Sequence, residues 1–282
     1  MAYLALLGRI LLLGYERIVV KRLGHQAGSA GVAFLFFAIA TLFLLPFALW
    51  VGVPDDGGFL TYVGLASLVY AVAFLLYVRS LSTGEASLVS PLYNFNVFFL
   101  LVLAAVTLGE PITLLKIVGV VLLVLGASFL NRQGSVWRSW VGLVRDPACR
   151  LMIICSLLMA VGRTIDGGVV QDVEPITYAF CLYAGISLCL GLTLALTRGM
   201  GEALALLRKE PRAATTAGAI NAYSYLLLLI AFTHIDVSVA EPASMLGMVV
   251  TVVLARFAFG ERIRDRLVAV GVMIVGAWLL FV

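Results

Sequence analysis

Long apolar runs, separated by short polar gaps, occupy almost the whole chain. Each run is about 20 residues long, which is the length that a helix needs to cross a hydrocarbon core of roughly 30 Å. The apolar positions are continuous rather than alternating, and an open sheet cannot span lipid, so the pattern predicts helices rather than barrel strands. The predicted spans lie near residues 2–22, 30–53, 58–79, 84–108, 111–131, 151–171, 175–197, 213–234, 236–259 and 265–282. We therefore predict an all-α membrane protein with ten transmembrane helices.

Composition supports lipid as the solvent of this chain. Hydrophobic residues make up 63% of the 282 positions and charged residues only 12%, with a mean hydropathy of +1.11. A soluble domain could not cover its surface with so few charges. The first run has no basic segment before it and no small-residue cleavage site after it, so we interpret it as a span rather than a signal peptide.

The charges and the cysteines exclude several other classes. The formal net charge of +4 is spread over short loops and forms no stripe, which gives no support for a nucleic-acid partner. The four cysteines show no C-x-x-C spacing, and His25 and His234 lie near predicted span ends without a second ligand nearby. We predict neither a metal site nor any other cofactor.

An internal repeat is the most informative feature of the sequence. A shift of 151 positions places ASLVSPLYNFNVFFLLVLAAVTLGE, which ends at Glu110, on VSVAEPASMLGMVVTVVLARFAFGE, which ends at Glu261. Pro91 then falls on Pro242. Beyond the glutamates, both copies continue into a glycine-bearing last span. Each half is therefore predicted to contain five spans.

The repeat also predicts the domain organisation. We place the first repeat at residues 1–131, an interfacial linker at 132–150 and the second repeat at 151–282. Tryptophans and arginines alternate in the linker, which suits a short helix lying at the headgroups or an irregular loop. An odd number of spans forces the second copy to enter from the opposite side, so the repeats are predicted to be inverted around a central cavity, as in many transporters.

Four short motifs carry a resemblance to a known family. Ser90-Pro91-Leu92 precedes Leu108-Gly109-Glu110 in the first copy, and Ala240-Glu241-Pro242 precedes Phe259-Gly260-Glu261 in the second. With these motifs the whole chain resembles the drug/metabolite transporter superfamily, in particular its EamA-like members. The resemblance implies a cavity lined by spans one, three, four, six, eight and nine, with the last span of each repeat at the periphery. It also implies transport of amino acids, drugs or other metabolites, and leaves the substrate open.

Loop charges and the resemblance disagree about orientation. Every loop lysine and arginine that can be placed follows an odd-numbered span, whereas the even-numbered loops carry the acidic residues Asp55, Asp56, Asp172, Glu174 and Asp236. The positive-inside rule then favours termini outside the cell. The resemblance implies cytoplasmic termini, and both orientations stay open. The expected location is the plasma, or inner, membrane.

Glu241 is the first candidate for function. It lies early in span nine beside Pro242, and the equivalent position of the first half is Ser90. Ionisable groups inside a membrane are expensive, so each is a functional candidate by default. Glu241 could couple proton movement to transport or neutralise a cationic substrate. The alternative is a carboxylate near a helix start that bonds a neighbouring helix.

Two further pairs of charges lie on corresponding helices of the two repeats. Arg9 and Glu16 are seven positions apart in span one, and Arg163 and Asp166 are three apart in span six, so each pair shares one helix face. A charged lining of the central cavity is one interpretation. The other is local pairing of Arg163 with Asp166 and snorkelling of Glu16.

Polar and aromatic side chains complete the predicted substrate site. They occupy spans three, four and eight, where they would either bridge helices by hydrogen bonds or bind an amine or amino acid. The residues in question are Tyr70, Tyr93, Asn94, Asn221 and Tyr225. Outside the site, we interpret Glu110 and Glu261 as helix caps, and we expect glycines in the last spans to permit close helix approach.

The hypothesis with most support is a secondary carrier that exports a small metabolite, amino acid or drug-like amphipathic solute by alternating access. Its partners would be that solute and membrane lipids, with protons as the candidate coupling ion and a monomer or homodimer as the assembly. The alternative is a flippase of a lipid or lipid-linked sugar. An intramembrane enzyme has less support because the sequence contains neither H-E-x-x-H nor a nucleophile elbow. No P-loop occurs either.

Overall fold

The computed structural model describes residues 1–23, 30–52, 54, 57–84, 92–130, 146–197, 199–259 and 267–282, and all regular structure in these ranges is helical. Most of the predicted linker, residues 132–145, lies outside them. The helices are α1 (Ala2–Leu23), α2 (Ala30–Val51), α3 (Gly57–Thr83), α4 (Asn96–Leu108), α5 (Leu114–Leu130), α6 (Pro147–Val169), α7 (Pro175–Leu196), α8 (Met200–Lys209), α9 (Pro211–Phe232), α10 (Val237–Ala243), α11 (Gly247–Phe259) and α12 (Leu267–Leu279).

Six helical segments among the described residues are long and apolar enough to cross a membrane. They are Ala30–Val51, Gly57–Thr83, Pro147–Val169, Pro175–Leu196, Pro211–Phe232 and Val237–Leu254. Shorter apolar helices lie where spans four, five and ten are predicted, and α1 coincides with the first predicted span. The all-helical, multi-pass prediction is therefore confirmed, whereas the count of ten spans stays a prediction.

The structure differs from the apolar pattern at one helix boundary and in one additional helix. The helix α6 begins at Pro147, four residues before the predicted start, because the Asp146 side chain accepts a hydrogen bond of 2.8 Å from the backbone N–H of Ala148. The amphipathic helix α8 lies between the predicted spans 175–197 and 213–234, where no helix was predicted. Its apolar face buries Ala203 and Leu206 against α2.

Both fourth spans are interrupted at equivalent positions. A turn at Asn94 and Phe95 precedes α4, which begins at Asn96. In the second half a 3₁₀ segment, Ser244–Leu246, separates α10 from α11, which begins at Gly247. Asn96 and Gly247 are related by the same shift of 151 that aligns the two sequence copies. The repeat therefore extends from the sequence to the helix boundaries.

Helix pairing follows a two-fold pattern between the halves. The helix α1 packs on α9 as α6 packs on α3, and α1 packs on α11 as α6 packs on α4. The contact between α2 and α9 corresponds to that between α7 and α3. Two pairs of equivalent helices, α2 with α7 and α5 with α12, pack directly on each other. Exchanging the two halves thus leaves the principal contacts unchanged.

Glycines bring the last helices of the two repeats into backbone contact. A Cβ on Gly119 would lie 2.7 Å from the carbonyl oxygen of Gly276, and a Cβ on Gly276 would lie 2.8 Å from that of Gly119. At Gly126 the Ala269 carbonyl oxygen would be 3.0 Å away. By contrast, no atom of the described residues lies within 4 Å of a Cβ on Gly271, so its predicted role in close packing is wrong among them.

We predict opposite effects of alanine at two glycines of α12. Gly276→Ala should destabilise the protein by about 1–3 kcal/mol because the added methyl forces two backbones apart. Gly271→Ala, the matched control, should be neutral or stabilise by up to about 1 kcal/mol through helix propensity. Thermal unfolding in detergent measures both effects, and equal melting temperatures of the two variants would contradict the close backbone contact between α5 and α12.

Candidate functional site

A cavity of about 360 Å³ lies between the two halves. Its walls come from α1, α2, α3, α6, α7 and α9, together with Tyr93 in the segment before α4. Eight of the lining side chains are aromatic. The lining residues are Arg9, Leu13, Glu16, Val32, Ala33, Phe36, Phe37, Tyr70, Phe74, Tyr77, Val78, Tyr93, Met159, Arg163, Leu182, Tyr183, Ile186, Asn221 and Tyr225.

The structure brings most of the predicted site residues to this cavity. Seven of the ten line it directly, namely Arg9, Glu16, Tyr70, Tyr93, Arg163, Asn221 and Tyr225. Glu241 is not among the lining residues, but its carboxylate forms an ion pair with Arg163, and Arg163 lines the cavity. Asp166 is fully buried behind the wall. Asn94 lies in the turn before α4, where its carbonyl accepts a hydrogen bond from the Val97 N–H, and it does not line the cavity.

The lining also includes two helices that the family resemblance did not imply. The helix α2 contributes Phe36 and Phe37 near its start, and α7 contributes Tyr183 and Ile186 near its middle. Both helices reach the interface because they pack on each other and on α9. Sequence reasoning missed Tyr183, although a phenol within an apolar span is the same signal that identified Tyr70 and Tyr225.

Arg163 is the most highly coordinated cation in the described part of the cavity wall. Its Nη1 donates hydrogen bonds of 3.2 Å to the Asp166 carboxylate and to the Tyr70 hydroxyl, and its Nε donates one of 3.2 Å to Glu241 Oε1. The guanidinium also lies 5.2 Å from the ring centroid of Tyr225 and 5.5 Å from that of Tyr70. These contacts place a permanent charge in an apolar environment with two carboxylates and two aromatic faces.

Asp166 connects the side chains of this cluster by accepting hydrogen bonds from three of them. Its side chain is completely buried, and it accepts hydrogen bonds from Tyr70 at 2.5 Å, Tyr178 at 2.8 Å and Arg163 at 3.2 Å. Both carboxylate oxygens are therefore used by protein donors. This arrangement fits a carboxylate that positions its neighbours, and it leaves no Asp166 oxygen directed into the cavity.

The broken span of the second half presents Glu241 beside Arg163. Glu241 lies in α10, just before Pro242, and its side chain is only 11% exposed. Oε1 accepts the hydrogen bond from Arg163, whereas Oε2 is buried and has no hydrogen-bond partner among the described residues. A buried acceptor without a partner is costly, which distinguishes Glu241 from the fully bonded Asp166.

Stacked and edge-on aromatic rings form the rest of the wall. The rings of Tyr183 and Tyr225 stack with centroids 4.8 Å apart, and Phe37 meets Tyr183 edge-on at 5.0 Å. The Tyr183 hydroxyl donates a hydrogen bond of 3.1 Å to Asn221 Oδ1. These residues come from α2, α7 and α9, so the wall joins both halves through rigid amphipathic groups.

The loops that follow odd-numbered predicted spans carry the loop lysines and arginines and mark the basic-loop side of the protein, and the other loops mark the acidic-loop side. The cavity extends towards the ends of α1 and α3 on the basic-loop side. Glu16 in α1 and Val78 in α3 line the cavity within about two turns of those helix ends, and Val32 lies in the first turn of α2. These positions put the cavity nearer to the basic-loop side than to the acidic-loop side.

A polar clamp joins the halves at the acidic-loop side. Glu110 accepts hydrogen bonds of 2.7 and 3.0 Å from the backbone N–H groups of Val237 and Ser238, the first two residues of α10. Lys116 forms a 2.7 Å ion pair with Asp236 and donates to Ser238 Oγ at 3.2 Å. Glu110 is thus a cap, but the helix that it caps belongs to the other half. Its counterpart Glu261 lies outside the described residues.

Comparisons with known proteins agree with this architecture. The family model described as the EamA-like transporter family matches residues 1–132 and 147–282 of the chain. A solved crystal structure has a similar fold, with a TM-score of 0.74 and a sequence identity of 16%. The match covers 99% of this chain and 95% of the chain in that structure. At that identity, the likeness shows the fold alone. No curated protein matches the chain.

Removing the charge of Asp166 should destabilise the protein. We expect Asp166→Asn to cost about 3 kcal/mol, because Arg163 loses one carboxylate while two tyrosine hydroxyls lose a charged acceptor. Asp172→Asn changes an exposed carboxylate near the end of the same helix and should stay within about 0.5 kcal/mol of the wild type. Unfolding by heat in detergent compares the two, and an unchanged Asp166→Asn protein would show that the cluster does not stabilise the fold.

Proposed function

The chain belongs to the EamA-like transporter family, and from that premise we propose that it is a secondary carrier that exports a small amphipathic solute by alternating access. It is an integral multi-pass membrane protein of the drug/metabolite transporter type, a family of transporters rather than enzymes. The proposal adds ten spans in two inverted repeats, 1–131 and 151–282, and the plasma membrane as location.

The observation that carries the proposal is the composition of the cavity wall. Charged and aromatic residues from both halves meet around about 360 Å³ of space, deep within an otherwise apolar molecule. This volume falls near the lower end of the range, roughly 300–1,000 Å³, that small-molecule sites occupy. A binding site between two repeats is also where carriers of this architecture hold their substrates.

Alternating access is supported by the symmetric pairing of the helices. Each principal helix contact has an equivalent contact in which the two halves have changed places. In inverted-repeat carriers, such symmetry lets one half rock against the other, so that the cavity opens first to one side and then to the other. The clamp of Glu110 and Lys116 would then close the acidic-loop side while the cavity serves the basic-loop side. If the basic loops are cytoplasmic, as the positive-inside rule favours, this state would load a substrate for export.

Glu241 is our candidate for the proton-coupling residue, because Oε2 has no hydrogen-bond partner among the described residues. A proton on this carboxyl group would weaken its ion pair with Arg163 and so link proton binding to a rearrangement of the wall. The lipid flippase remains the alternative, and it requires movement of a headgroup rather than of a soluble solute.

Transport into proteoliposomes tests this function. We expect the wild type to move at least one member of a panel of amino acids, polyamines, aromatic acids and nucleobases, at a rate that depends on an imposed pH gradient. Glu241→Gln should lose the dependence on the gradient, whereas Glu174→Gln, at a helix start without a side-chain cap, should retain it. Scrambling of fluorescent lipids without solute transport would favour the flippase.

The clamp can be tested by hydrogen–deuterium exchange. Glu110→Gln should speed exchange at the amides of Val237 and Ser238 about tenfold, since losing a charged acceptor costs roughly 1.4 kcal/mol. Glu174→Gln is again the control, because its side chain accepts no capping hydrogen bond. Unchanged exchange in Glu110→Gln would mean that this end is held closed by other contacts.

A further inference from the structure

The two arginines of the cavity wall are bonded very differently. Arg163 contacts two carboxylates, a tyrosine hydroxyl and two aromatic faces. Arg9 is 7% exposed, and its one hydrogen bond to a described residue is donated by Nη1 to Ser224 Oγ at 2.5 Å. Its Nε is buried and has no partner in the described part of the chain.

An unpaired guanidinium edge is costly at this depth. Arg stays protonated in proteins and offers only donors, so it cannot relieve the cost by losing its charge. A buried donor without an acceptor costs about 1–3 kcal/mol, and more when it is charged. Within the described ranges, no carboxylate oxygen lies within 4 Å of the Arg9 nitrogens. The described residues therefore supply no acceptor for the Nε–H of Arg9.

The position of Arg9 indicates where that acceptor would lie. Arg9 lines the cavity together with Tyr183, Tyr225 and Phe37, whose rings stack or meet edge-on. A ligand in this space would contact both the Arg9 side chain and the aromatic rings. Arg163 does not compete for the acceptor group of the ligand, because Asp166 and Glu241 already pair with its guanidinium.

We propose that Arg9 binds the carboxylate of the transported solute, and that the site is selective for small organic anions with an apolar or aromatic body. The planar guanidinium matches a carboxylate, and the aromatic wall contacts the body of the molecule. Ser224 accepts the hydrogen bond from Nη1 and so fixes the orientation of the guanidinium in the cavity wall. This inference rests on the proposed function, because it assigns the substrate class of the same cavity.

A matched series of probes tests the charge selectivity. The probes are 3-phenylpropanoate, 3-phenylpropanamide and 3-phenylpropan-1-amine, which share one body and differ in the head group. Thermal shift of the purified full chain in detergent reports binding, since a ligand that binds the folded state raises its melting temperature by mass action. We expect a shift with the carboxylate and at least a tenfold weaker half-saturation with the amide and the amine.

Substitutions then place the selectivity on Arg9. Arg9→Gln should weaken carboxylate binding at least tenfold and abolish the preference over the amide. Arg79→Gln makes the same change at an exposed arginine outside the cavity and should bind like the wild type. If Arg9→Gln does not fold, Arg9→Lys retains the charge without the planar fork and should show an intermediate loss, and the preference of the wild type is measured independently of either variant.

The outcomes separate this inference from the carrier function. Equal or tighter binding of the amine or amide, no shift with the carboxylate, or full carboxylate binding by Arg9→Gln would each overturn the anion site. Transport of a cationic or neutral solute in proteoliposomes would at the same time leave the carrier function standing. Conversely, a carboxylate that binds through Arg9, with no solute of the panel transported, would support the site and overturn the carrier.

Discussion

The compensation of one buried charge organises the centre of this molecule. Arg163 is permanently protonated in an apolar interior, so it needs partners from several helices at once. Asp166 of α6 pairs with it and is itself held by Tyr178 of α7, Tyr70 reaches it from α3, and Glu241 reaches it from the interrupted span of the second half. Arg163 and Tyr70 line the cavity, so the compensation of this charge and the cavity wall involve the same side chains.

The two halves share a backbone plan but not their charges. Both fourth spans restart at positions related by the repeat, Asn96 and Gly247, and the helix pairs are exchanged by the same relation. The carboxylate of Glu241 has only the hydroxyl residue Ser90 as its sequence counterpart. The symmetric backbone is compatible with the rocking motion that we propose, while the asymmetric side chains give the cavity between the halves its charges.

Much of this arrangement follows from the sequence, and the remainder depends on tertiary packing. Apolar run length predicts the helical class, and the repeat predicts the pairing of halves, because both depend only on positions along the chain. The sequence also identifies Arg9, Glu16 and Arg163 as candidates for a cavity lining, with local pairing or snorkelling as the alternative, and all three line the cavity. It does not distinguish Asp166, which accepts hydrogen bonds from two tyrosine hydroxyls, from Glu241, whose Oε2 has no hydrogen-bond partner among the described residues. That difference arises from side chains distant in sequence. The amphipathic α8 was missed because its ten residues are too short to resemble a span.

The direct packing of α5 on α12 and of α2 on α7 has a consequence for how such a molecule can arise. Each contact joins a helix to its own equivalent in the other half. These are the contacts by which two separate half-length chains would form a symmetric dimer, since an isologous interface uses the same surface on both subunits. Identical subunits must carry the same residue at every position. Fusion into one chain removes that restriction, and it lets one half place a carboxylate where the other keeps a hydroxyl.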